Sequence, residues 1–368
     1  MMDEFKPQVS ISTPAEILAA VPHMLGFYPA DSRVLLTLHD LETTPRFGVA
    51  LRTDLPHPTE IREFAAQLIQ GSLKPQRPNA VVAIVVSDEG HNHGAHQLSL
   101  EHSTTRDPAN LPHAELVNIL IETLQHADIH VGHALWTPGI RSAAPWRCYR
   151  DHDCSGSIPD PAASPLAASL ALQGSVTFLS KDEIRTLVAP ESDDAIADWS
   201  AKLDALHNGI EDRYSQDELR SDLRAVSEAI DSISNGMTLT EDELVRVLFA
   251  LSDNLVRDIA LGTALGNRAR AAEKLWLALI RKAPVPEFGE VAVLLAVSAY
   301  ARGDGALAGI TLERLRQTQP DHHLGILLTK ALHTGVSPTH LTAMMCATTQ
   351  EALREVQELI GSTNPFVL

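Results

Sequence analysis

Residues 79–88 read NAVVAIVVSD, an almost unbroken apolar run. Seven apolar residues are far too few to span a bilayer. A strand with one wet face would alternate polar and apolar side chains. This one does not, so both its faces must be covered, as in the middle of an α/β sheet. Working outward, SRVLLTLHD (32–40) and RFGVALRTD (46–54) read as two strands joined by a polar link containing Pro45. Further on, IHVGHALWTPG (129–139) reads as another. Between them lie helical stripes: Ile61, Phe64, Ala65, Leu68 and Ile69 within 58–71, and Leu116, Ile119, Leu120 and Leu124 within 112–127. Strand, helix, strand, helix, strand predicts an α/β layer, with the opening pair adding an antiparallel element.

The start of the chain carries its own helix signal. Thr13-Pro14-Ala15-Glu16 is a capping box with Pro at the first helical position, predicting a short helix through Ala20. Residues 22–29 then break regularity with Pro22, Gly26 and Pro29, setting how that helix meets the first strand.

Texture changes near Pro190, and the acidic stretch PESDDAIADWSAKLD marks the seam. Beyond it, helix-start signals recur. Ser180 with Glu183, Ser215 with Glu218, Thr240 with Glu243, and Thr348 with Glu351 match the capping-box spacing, and Ser337 is followed by Pro338. Short links between helices force antiparallel neighbours. The expectation is an α/β domain with a mixed sheet over 1–190 and an all-α domain of helix hairpins over 191–368.

Within the second part, Leu295, Ala296, Tyr300, Gly303, Ala308, Leu312 and Pro320 form a helix-pair signature. The segment resembles one tetratricopeptide repeat, and the likeness extends weakly over 286–335. Small residues sit where two helices approach closely, Gly303 permits a left-handed turn, and Pro320 ends the second helix. One repeat cannot bury its own face, so its neighbours must continue the stack.

Composition narrows the function classes. The net charge of −18 opposes nucleic acid and anionic lipid, both of which need a basic track. The opening MMDEFKPQVS has two acids and no apolar core, unlike a secretory signal. Three cysteines are too few for a disulfide framework in 368 residues. These features point to a cytoplasmic protein.

VPHMLGFYPADSRVLLTL followed by Arg52-Thr53-Asp54-Leu55-Pro56 resembles the opening of an actinobacterial family, domain-of-unknown-function family 4192. Trp146 with Tyr149 and Cys154, Arg257-Asp258 in LVRDIAL, and Ala283-Pro284 extend the likeness along nearly the whole chain. The resemblance implies no established activity or cofactor. The family's W-x-S-Y-x-C pattern is not kept, because Cys148 stands at the Ser position and Asp151 at the first Cys.

Candidate site residues follow from these stretches. Asp31, Ser32, Arg52 and Asp54 are read as lining one pocket at strand ends, where α/β sheets bind ligands; the competing reading is a buried elbow needed for folding. Arg257 and Asp258 are read as an interdomain ion pair or a partner contact. His91, His93 and His96 suggest metal ligands, but Ala95 stands where such a run needs an acid. Cys148, His152 and Cys154 lack a fourth ligand. No metal and no cofactor is assigned. Phosphate-loop, dinucleotide and serine-hydrolase motifs are absent from the sequence. The leading expectation is a non-enzymatic interaction or regulatory module with a protein partner. The alternative is a small-molecule-binding protein or enzyme with its site at the strand ends of the α/β domain.

Overall fold

In a computed structural model of the chain, residues 10–42, 45–88, 111–151, 153–172, 175–209 and 215–361 are described. They form two compact units, Met1–Lys181 and Asp182–Leu368. The first is built on a mixed six-stranded sheet and the second is helical, as the patterning predicts.

The sheet comprises β1 (Ser32–His39), β2 (Arg46–Asp54), β3 (Ala80–Val86), β4 (His130–Thr137), β5 (Pro145–Cys148) and β6 (Ser155–Ser157), in the order β2-β1-β3-β4-β5-β6. Only β3 and β4 are parallel. β1 is antiparallel to both of its neighbours, and the β4–β5–β6 meander is antiparallel throughout. All seven residues of β3 are buried, which is why its sequence shows no alternation.

Each face of the sheet has its own apolar core. On one face Leu35, Val85 and Trp136 meet α2 (Ile61–Leu68) and α3 (Ala114–His126) through Ala65, Leu68, Leu116 and Leu120. On the other, Val34, Leu36, Ile84 and Leu135 meet α1 (Pro14–Leu25) through Leu18 and Val21. The capping box at Thr13 and Glu16 forms as read. The first helix, however, runs past Ala20 to Leu25, with Pro22 inside it and Gly26 left-handed at φ 82°. His23 holds its far end, one ring nitrogen 2.8 Å from Thr177 Oγ1 and the other 2.8 Å from the Pro161 carbonyl. A short helix, α4 (Pro165–Leu172), completes this unit.

The second unit strings together α5 (Lys181–Leu187), α6 (Asp193–Gly209), α7 (Gln216–Ser234), α8 (Glu241–Ala250), α9 (Asn254–Leu261), α10 (Ala269–Ile280), α11 (Phe288–Ala301), α12 (Gly305–Thr318), α13 (His323–His333) and α14 (Pro338–Ile360). Ser215, Thr240 and Ser337 cap α7, α8 and α14 through their side-chain oxygens. The start expected at Thr348 does not exist. That residue lies mid-helix in α14, whose buried stripe Leu341, Met345, Thr349, Ala352 and Val356 runs unbroken through it. Apart from Glu290, α11 is buried from Phe288 to Ala299 and apolar nearly all round, with α10 and α12 packed on it. Gly303 takes φ 92° at the turn after α11, and Asp304 caps α12 by accepting from the Leu307 N–H.

Arg314 of α12 is a half-buried arginine without an acid among the described residues. Its Nη1 donates to the carbonyls of Val188 and, at 3.0 Å, Ile280, at the ends of two helices, and its guanidinium lies 4.3 Å from the centre of the Phe288 ring.

Candidate functional site

The parallel pair β3–β4 fixes one end of the sheet. Both strands finish there, and the Ser87 N–H donates to the Thr137 carbonyl at 3.1 Å. β2 finishes at the same edge and β1 begins there, because Ser32 lies opposite both Val86 and Asp54. This is the carboxyl edge, where α/β sheets bind ligands.

Arg33 is the second residue of β1 and is 1% exposed. Two residues before Leu35, it points to the α2/α3 face. Its Nη2 donates to Thr53 Oγ1 on β2 at 3.1 Å, and its guanidinium lies 4.4 Å from the centre of the Phe64 ring on α2. Nε and Nη1 have no acceptor. Burial alone pushes its pKa down to about 10, so it keeps its charge at neutral pH.

Arg33, Val85 and Trp136 are successive partners across β1, β3 and β4. The Trp136 indole N–H is also buried without an acceptor. So is Ser87 Oγ, two residues beyond Val85 toward the edge. A buried donor left unsatisfied costs about 1–3 kcal/mol. Arg33, Trp136 and Ser87 therefore make a notable concentration in a face otherwise built of apolar side chains.

α3 begins at the same edge. His113, left-handed at φ 59°, precedes it and gives the first turn no side-chain cap. Burial holds the His113 imidazole below its ordinary value of 6.5, and the nearby Asp31 carboxylate pulls it back up. Pro112 accepts a 2.6 Å hydrogen bond from the buried Tyr149 hydroxyl, which anchors the entry to the helix.

The four strand-end residues read from the sequence all lie at this edge, Ser32, Arg52 and Asp54 on its α1 face and Asp31 in the turn before β1. Ser32 is fully buried on the α1 side, its Oγ without a partner. Arg52 and Asp54 pair with each other on the same face, and Arg52 Nη2 also donates to the Ala30 carbonyl at 3.3 Å. Asp31 is exposed in the turn, left-handed at φ 41°, and its charge acts on His113. The sequence reading passed over Arg33, Ser87, His113 and Trp136. For Arg33 a signal existed, namely a charged side chain within an apolar strand.

The remaining candidates fall elsewhere. Arg257 and Asp258 do pair, but their bonds stay inside the helical unit. Arg257 Nη1 donates to Glu290 of α11 at 2.8 Å, and Glu290 also meets His322 at 3.3 Å. Arg257 thus ties α9 to α11. Cys148 and Cys154 face each other across the end of the β5–β6 hairpin, the Cys148 N–H donating to the Cys154 carbonyl at 3.0 Å. Burial, then Cys148 and Asp151, raise the Cys154 thiol, which disfavours thiolate. His152 and residues 91–96 lie outside the described residues. Among the described residues no group of three metal-ligating side chains converges, and no helix is long and apolar enough to cross a membrane.

In the helical unit a groove of about 310 Å³ lies between α12 and α13. Its lining includes the apolar Leu312, Leu315 and Ile326 and the cations Arg316 and Lys330. Ile326 is 53% exposed.

The sequence profile of a family described as Domain of unknown function (DUF4192) matches residues 14–339. The chain belongs to that family. The matched stretch spans both the sheet unit and most of the helical one, and takes in the residues of the carboxyl edge and of the α12–α13 groove. Comparison with curated proteins and with solved structures gave no match.

Proposed function

We propose that this DUF4192 protein is a binding protein whose α/β unit takes a small molecule at the carboxyl edge of its sheet. One observation carries the reading: Arg33, Ser87 and Trp136 bring buried hydrogen-bonding atoms to one edge and leave them without partners. Folded chains satisfy nearly all such groups, and clustered exceptions call for a function. Residues from four separate segments meet there, as they do in sites at strand ends.

The test is a thermal-unfolding screen of the full chain against water-soluble metabolites. A ligand at a hundred times its dissociation constant should stabilise by about 2.7 kcal/mol. Ser87→Ala and Trp136→Phe should weaken that response. Hits indifferent to both substitutions would remove the reading, as would a screen without hits.

A second reading has its own support. The helical unit docks a protein partner as a tetratricopeptide-like stack around 286–335. The α12–α13 groove, with its exposed Ile326 and the two cations in its lining, favours this, and Ile326→Asp should then abolish association. The acidic charge and three unpaired cysteines support a cytoplasmic setting for either reading.

A further inference from the structure

We infer that the group held at the carboxyl edge is an oxyanion, the phosphoryl or carboxylate end of a small metabolite, with Arg33 as its fixed counter-charge. This rests on the ligand-binding reading above and adds the chemistry that selects the ligand.

The unsatisfied atoms all have one polarity available. Arginine nitrogens and the indole nitrogen can only donate, and a serine hydroxyl can donate. On the α2/α3 face Arg33 Nε and Nη1, Trp136 Nε1 and Ser87 Oγ are buried without partners. A complementary group must therefore offer several lone pairs and need not donate. Carboxylate and phosphoryl oxygens meet that description. A ligand hydroxyl or amide would fill one position and leave the rest open.

Charge makes the same selection. No described carboxylate pairs with Arg33, and the only influence on its ionisation is burial. This contrasts with Arg52, Arg246, Arg257 and Arg302, each of which holds an acid. A lone buried cation is poorly solvated, and in such surroundings an anion is attracted far more strongly than in water. The first turn of α3 adds amide groups at the same edge with no side-chain cap to occupy them.

The cation is also held in place before any ligand arrives. Thr53 fixes one nitrogen, at 3.1 Å, and Phe64 supports the flat face of the guanidinium. A planar group held on one side and one edge loses little freedom when it meets an anion. Because Arg33 is 1% exposed, the ligand can present only a small terminal group to it. That favours the charged end of a metabolite over a chain of a polyanion.

The experiment uses the full chain and inorganic phosphate, sulfate and acetate, each compared with chloride at constant ionic strength. Thermal unfolding and titration calorimetry provide the readouts. Saturable stabilisation is expected from phosphate or acetate. Phosphate without acetate identifies a phosphoryl end, and acetate without phosphate a carboxylate end. Arg33→Lys keeps the charge but loses the planar fork, and should weaken the response about tenfold. Arg33→Met should abolish it while leaving the circular dichroism spectrum unchanged. If Arg33→Met does not fold, Ser87→Ala should still reduce anion affinity several-fold.

Anion effects no larger than those of chloride would overturn the inference, as would effects equal in wild type and Arg33→Met. A neutral metabolite that depends on Ser87 and Trp136 but not on Arg33 would keep the ligand site and sink the oxyanion. No ligand of any kind would sink both.

Discussion

Arg33 at the sheet edge and Arg314 in the helical core look alike until their hydrogen bonds are followed. Both are arginines without an acid, both lie against a phenylalanine ring, and burial pushes the pKa of each to about 10. Arg314 closes two helix ends through the carbonyls of Val188 and Ile280. Arg33 has a single neutral acceptor, Thr53, and two nitrogens with none. The same side chain is thus a structural fastener in one unit and an unfinished contact in the other. What separates the roles is the supply of acceptors together with the depth of burial, Arg33 being 1% exposed and Arg314 half-buried; the charge is shared.

The strongest way to break that comparison is Arg314→Met. It should strand two buried carbonyls and remove the contact with Phe288, costing about 2–4 kcal/mol in urea unfolding. A loss below about 1 kcal/mol would mean that Arg314 is no fastener.

Arg33→Met sharpens the other half. Replacing a lone buried cation with an apolar side chain should change ligand-free stability by no more than about 1 kcal/mol, with stabilisation as the expected sign. A loss comparable to that of Arg314→Met would make both residues structural.

The smallest effect is a pH dependence at His113. Its folded pKa lies below the ordinary 6.5, so the unfolded chain binds its proton first as pH falls. Its contribution is therefore complete above about 6.5 and declines as pH drops through the window below it. Asp31→Asn removes the opposing charge and should lower the His113 pKa further. Titration followed by nuclear magnetic resonance measures both. A His113 pKa above 6.5, or no downward shift in Asp31→Asn, contradicts the geometry.

Much of the fold could be read directly because it is written in local pattern. The apolar run of β3, the stripe on α3, and the caps at Thr13 and Thr240 depend on neighbours within a turn or two. The false start at Thr348 shows the limit of such signals. Its spacing to Glu351 matches a cap, but the stripe from Met345 to Val356 continues through it, and burial on that face keeps the helix whole. β5 and β6 escaped notice because strands of four and three residues carry too little pattern.

The site was only half legible. Asp31, Ser32, Arg52 and Asp54 lie close together in a hairpin, so their proximity follows from one register. Ser87, His113 and Trp136 reach the same edge through a parallel crossover, and their spacing in the chain carries no trace of it. Arg33 could have been noticed, since a cation at the second position of SRVLLTL conflicts with a strand covered on both sides.

Asp31, the left-handed residue just before β1, has one more consequence. It sets the phase at which extended chain begins, and adjacent side chains on extended chain look in opposite directions. An inserted or deleted residue between Gly26 and Ser32 that shifted β1 by one position would swing the guanidinium to the α1 side, toward Leu18 and Val21 of α1. The turn therefore works as a counter. Its residues can be exchanged far more freely than their number can be changed.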